Sequence, residues 1–107
     1  MNEDRQPLRR YPRWPVSIDC DVEGTSGHSS MRLSELSIGG CYIDTRMAFA
    51  EGASVTITAL FPGGDLTFTG RVIYVHPGYG FGVGFDPLSD ATREKLEEFL
   101  KHAQQAR

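Results

Sequence analysis

SVTITALFPGGDLTFTGRVIYV, residues 54–75, decides the class of fold. Val55, Ile57, Ala59 and Phe61 recur at every second position, the period at which successive side chains of an extended chain share one face. PGGD at residues 62–65 then interrupts the pattern with turn-forming residues, and LTFTGRVIYV resumes the alternation from Leu66. Two alternating runs joined by a short Pro/Gly turn predict a β-hairpin.

The same period extends upstream. Val16, Ile18, Cys20 and Val22 alternate with Ser17, Asp19 and Asp21, which predicts a half-buried strand with an acidic outer face. EGTSGHSS, residues 23–30, reads as a turn-rich loop, and MRLSEL then alternates again, with Met31 and Leu33 inward before Leu36. SIGG at 37–40 reads as an interruption of that strand, CYID as its resumption with Cys41 and Ile43 facing the core, and the surroundings of Glu51 and Gly52 as a loop. Downstream, YGFGVGF (79–85) predicts a last strand, with Tyr79, Phe81, Val83 and Phe85 on the core face. Gly78, Gly80, Gly82 and Gly84 recur every second residue, so this is no dinucleotide-binding GxGxxG turn. The face they leave bare admits either close packing of neighbouring chain or a flat ligand. The period changes in SDATREKLEEFLKHA: Leu96, Phe99, Leu100 and Ala103 fall at i, i+3, i+4 and i+7 behind Ser89 and Asp90 as candidate N-caps. Five or six short antiparallel strands followed by one amphipathic helix predict a small all-β barrel, closed or nearly so.

The chain has 107 residues, 39% of them hydrophobic, enough for one domain with a modest core. A net charge of −3 argues against a nucleic acid polymer as partner, so an anion site has to be local. No apolar run reaches the roughly 18 residues of a membrane span, and MNEDRQPLRR lacks the apolar stretch of a secretory signal; no membrane insertion and a cytoplasmic location are the expectations. Cys20 and Cys41 read as buried thiols, and His28, His76 and His102 are too scattered for a metal site. No nucleophile with a placed base is visible, so the chain is not read as an enzyme, and no cofactor is expected.

Two features stand outside this structural pattern. Arg5, Arg9, Arg10 and Arg13 are four of nine arginines, gathered in a segment that Pro12 and Pro15 keep out of a helix; residues 1–15 read as flexible and residues 16–107 as barrel plus helix. ELSIGG places Glu35, Ser37, Gly39 and Gly40 at a break between strands, where outward backbone N–H groups can hold an anion.

Together, RRYPR ahead of the first strand and ELSIGG after the second resemble the PilZ domain, a bacterial receptor module for the second messenger cyclic di-GMP. Arg9 and Arg13 match that family's RxxxR motif, and Ser37 and Gly40 match its [D/N]xSxxG motif with Glu35 in the place of Asp or Asn. The resemblance spans about residues 5–104 and implies a six-stranded antiparallel barrel with a C-terminal α-helix. It implies cyclic di-GMP as ligand, held by Arg9, Arg10, Arg13, Glu35, Ser37, Gly39 and Gly40. Arginine suits that ligand, because its planar fork of donors bridges phosphate oxygens and reads guanine O6 and N7. Ser37 would donate to a phosphate or guanine and Gly40 would keep the turn open. The expectation is a stand-alone receptor that relays the messenger to an unidentified effector protein, in motility or biofilm regulation. Glu35, one methylene longer than Asp, motivates the alternative of a PilZ-like adaptor that has lost nucleotide binding and works through protein contacts.

Overall fold

The computed structural model describes residues 11–24, 27–47 and 49–105, so Arg5, Arg9 and Arg10 lie outside the described residues. Six strands, β1 (Trp14–Gly24), β2 (Gly27–Leu36), β3 (Gly40–Asp44), β4 (Ser54–Phe61), β5 (Gly64–His76) and β6 (Gly80–Phe85), precede one helix, α1 (Asp90–Gln105). The strands close into an antiparallel barrel in the order β1-β2-β3-β6-β5-β4.

The hairpin at residues 54–75 forms as its alternation predicts. β4 and β5 pair without a break from Phe61↔Gly64 to Ser54↔Arg71, and Gly64 takes a φ of 130° in the turn, where a side chain would be strained. Val55, Ile57, Ala59, Phe61, Leu66 and Phe68 point inward and are buried. The alternation of β5 breaks once, between Val72 and Tyr74, where the pairing with β6 shifts register. Such a bulge adds a residue on one strand and turns the remainder of that strand relative to the sheet. It lets Val72 and Val75 both pack inward while Tyr74 lies opposite Gly82.

Three local expectations need correction. Residues 23–30 are mostly strand: β1 and β2 remain paired through Glu23↔His28 and Gly24↔Gly27, because ladder hydrogen bonds join main chain to main chain and form whatever the polarity of the side chains. SIGG does not interrupt one strand but reverses the chain between two, with Ser37 N donating to Gly40 O at 2.9 Å and β2 and β3 antiparallel on either side. Tyr79 is 77% exposed rather than core. The turn at Gly78 (φ 83°), closed by Tyr79 N to His76 O, delays the last strand to Gly80, and only Phe81 and Val83 of the predicted row are fully buried.

Each end of the barrel is stoppered by aromatic or helical cover. At one end Phe49, from the loop after β3, lies 4.4 Å from Phe81, centroid to centroid. At the other, α1 sets buried Leu96 and Leu100 against the core and Phe99 edge-on to Phe61 at 4.6 Å. Ser89 caps the helix, its Oγ accepting from Thr92 N at 3.1 Å. The seam between β1 and β4 is laddered only from Cys20↔Ala59 to Glu23↔Thr56. Beyond that, Val16–Ile18 and Leu60 part around a groove also lined by Phe99 and Ala103 of α1.

Candidate functional site

The ladder brings Arg13, the described end of the arginine stretch, beside ELSIGG at one end of the barrel. Trp14 pairs with Leu36 and Pro15 with Glu35, so Arg13, at the threshold of β1, stands beside the last residues of β2. Its guanidinium lies 3.5 Å from the Glu35 carboxylate, with both side chains partly exposed. The turn after β2 is tightly knit. Ser37 is fully buried; its hydroxyl accepts from Gly39 N at 3.1 Å and Gly40 N at 3.2 Å and donates to Gly40 O at 3.3 Å. Gly39 O in turn accepts from Phe85 N at 2.9 Å, which fixes the turn to the end of β6.

This geometry sorts the predicted residues. Arg13 and Glu35 present polar atoms to solvent beside the turn, while the Ser37 hydroxyl is spent inside it and the N–H groups of Gly39 and Gly40 face that hydroxyl. A serine so placed defines the shape of the turn: without its hydroxyl the buried Gly40 N and the partly buried Gly39 N would lose their acceptor.

The PilZ domain family model matches residues 7–102, nearly the whole of this arrangement. The chain belongs to the PilZ domain family. Among solved structures it resembles the PilZ domain of YcgR from Escherichia coli with c-di-GMP, at 19% identity, a TM-score of 0.77 and 92% coverage of both chains. A PilZ domain of CeSA from a cellulose-synthesizing bacterium gives 18% identity and a TM-score of 0.67, covering 87% of this chain and 98% of that one. The Bacillus subtilis inhibitor of motility MotI/DgrA gives 13% and 0.73, covering 92% of this chain and 52% of that one. At such identities the likeness speaks to the fold. No curated protein matches.

The outer wall of this PilZ barrel carries a feature that sequence reasoning passed over. Glu35 pairs with Tyr42 on β3, Tyr42 with Gly82 on β6, and Gly82 with Tyr74 on β5, so one row runs outward from Arg13 across the barrel. The glycines of GFGVGF are not bare. A Cβ on Gly82 would stand 2.4 Å from the Tyr74 ring, and one on Gly80 would meet the Ile43 carbonyl and the Tyr42 ring. Tyr42, Tyr74 and His76 form a triangle of rings, with centroids 6.1, 5.7 and 5.2 Å apart, and Tyr42 Oη hydrogen-bonds with His76 Nδ1 at 3.0 Å. Burial pushes the Tyr42 phenol above its ordinary pKa, and Tyr74, Asp44 and Glu35 nearby add to that. The alternation of CYID against that of GFGVGF contained the signal, since outward Tyr42 must lie over an outward glycine once β3 and β6 are neighbours.

Among the described residues, no group of three or more His, Cys, Asp or Glu side chains gathers as a metal site, and no helix is long and apolar enough to cross a membrane.

Proposed function

We propose that this PilZ domain is a receptor for cyclic di-GMP, which Arg13, with Arg9 and Arg10 ahead of it, clasps against Glu35 and the Ser37–Gly40 turn. The observation that supports this reading is the 3.5 Å approach of Arg13 to Glu35, which sets one residue of each motif side by side. The E. coli YcgR domain, whose fold this chain shares, is a c-di-GMP complex. A micromolar complex requires about 8 kcal/mol. Charge-assisted hydrogen bonds contribute about 1.5–3 kcal/mol each before ordering costs, so four arginine contacts of about 2 kcal/mol each would reach that figure. In the free protein Arg13 is held by Glu35 in an exposed ion pair of about 0–1 kcal/mol, a small cost for the ligand to displace. Binding would engage the arginine segment and alter the surface offered to a partner protein.

Titration calorimetry with cyclic di-GMP, with GTP and cyclic GMP as controls, tests this. Micromolar binding of the dinucleotide, lost in Arg13→Ala, is expected; absence of heat at millimolar ligand would refute it. One observation favours a second reading: Arg13 and Ser37 already have partners within the fold. An adaptor that works through protein contacts would capture its partner equally well with and without the nucleotide, and after Arg9→Ala.

A further inference from the structure

A second groove, of about 620 Å³, lies between α1 and the turn that joins β4 to β5. Its floor is apolar: Phe61 and Leu66 line it from the hairpin, and half-buried Phe99 packs edge-on to Phe61 at 4.6 Å. One wall is the exposed turn at Gly63 and Gly64, which contributes no side chain to close the mouth; a Cβ on either glycine would meet nothing within 4 Å. The other wall is a stripe of α1 in which Glu94, Glu98 and His102 follow one another a helical turn apart, with Lys95 beside them.

The charge on that stripe is unbalanced. Exposed Glu94 and Glu98 set two carboxylates against the single ammonium of Lys95, and like charges four residues apart destabilise a helix. His102 does not offset them at neutral pH: its Nδ1 lies 3.0 Å from the main-chain oxygen of Glu98 and 3.9 Å from the carboxylate. Elsewhere on α1 the same spacing is used in the opposite sense, with Arg93 and Glu97 forming an ion pair at 3.7 Å. The helix neutralises that pair within itself and leaves the stripe along the groove acidic.

We propose that this groove docks a segment of a partner protein in which an aliphatic or aromatic anchor is flanked by lysine or arginine. The anchor seats on Phe61, Leu66 and Phe99, and the flanking cation sits between Glu94 and Glu98, where it relieves their repulsion. Removal of apolar surface from water supplies the main gain, and the carboxylates select which segments are accepted. The inference is independent of nucleotide binding: it supplies the partner-facing surface that the receptor and the adaptor both require.

The test follows the backbone amide resonances of the isotopically labelled full chain, without nucleotide, during titration with a short amidated peptide of leucine, phenylalanine and lysine. The same peptide with glutamate in place of lysine is the control. The lysine peptide should shift the amides of Gly63, Gly64, Glu98 and Phe99, and the glutamate peptide should bind about tenfold more weakly. Glu94→Gln combined with Glu98→Gln should weaken the lysine peptide about fivefold. Gly63→Trp, whose side chain enters open space at the mouth and leaves the core untouched, should block it. No shift at millimolar peptide, equal affinity for the two peptides, or unchanged binding to Gly63→Trp would overturn the proposal. So would movement of the same amides in the peptide-free protein on dilution, which would give the groove to a second copy of the chain. Their movement on Arg9→Ala with Arg10→Ala would likewise overturn it, and give the groove to the chain's own N-terminal segment. Because no nucleotide is present, failure of the receptor reading leaves each of these outcomes unchanged.

Discussion

At the scale of single residues, the buried hydroxyl of Ser37 is the sharpest case of a motif residue whose role changes once its neighbours are known. Ser37→Ala leaves Gly39 N and Gly40 N without their acceptor, so the ligand-free protein should lose about 2 kcal/mol, read as a lower urea midpoint. A serine that served only the ligand would leave that midpoint unmoved. The cysteines give a second prediction. Burial first, and then Asp21 and Asp19, push the Cys20 thiol from an ordinary 9.0 up to about 11, while its Sγ–H donates to Met31 O at 3.6 Å. Burial also pushes Cys41 well above 9.0. A raised pKa means the folded state keeps its proton where the unfolded chain has lost it. Stability is therefore whole below pH 9 and falls as pH rises from about 9 to 11, by on the order of 2 kcal/mol from Cys20 alone. Urea midpoints across that range should show the decline, and Cys20→Ala should make it shallower while the share of Cys41 remains. The motif spacing made Arg13, Glu35 and Ser37 visible in advance; the direction of the Ser37 hydroxyl was not, because it depends on a turn only three residues wide.

At the scale of elements, the glycines of β6 are unequal in a way their even spacing hides. A Cβ at Gly80 would stand 2.2 Å from the main-chain oxygen of Ile43, whereas at Gly84 the nearest atom is the Ile73 methyl at 3.4 Å. Main chain cannot step aside as a side chain does. Gly80→Ala should therefore cost about 3 kcal/mol, and Gly84→Ala should be neutral or stabilise by about 0.5 kcal/mol through the unfolded chain. Equal urea midpoints for the two variants would contradict the close approach of β3 to β6. Strand and helix identities were legible because alternation and the 3.6-residue period are local properties of sequence. Tyr79 misled because a left-handed turn at Gly78 starts the strand one residue late, and period alone does not mark where a ladder begins. The ribbon at residues 23–30 misled for a related reason: its polarity reports exposure, and exposure does not prevent pairing. The aromatic row was out of reach because it joins β2, β3, β6 and β5, and that order belongs to the closed barrel.

At the scale of the whole molecule, the groove between β1 and β4 should be where the fold first comes apart. Leu96→Ala should cost about 3 kcal/mol. In native-state hydrogen exchange it should speed the amides of α1 and of Trp14–Ile18 before those of β5 and β6; uniform acceleration would mean that the barrel opens all at once. Mechanically, the protein is an arch bent into a ring, and α1 is its keystone, wedged where the stones of β1 and β4 no longer meet. Arg13 stands on the springing stone beside that gap. A substitution that loosens the keystone should therefore also loosen the footing of the arginine, two residues ahead of the groove's first lining residue.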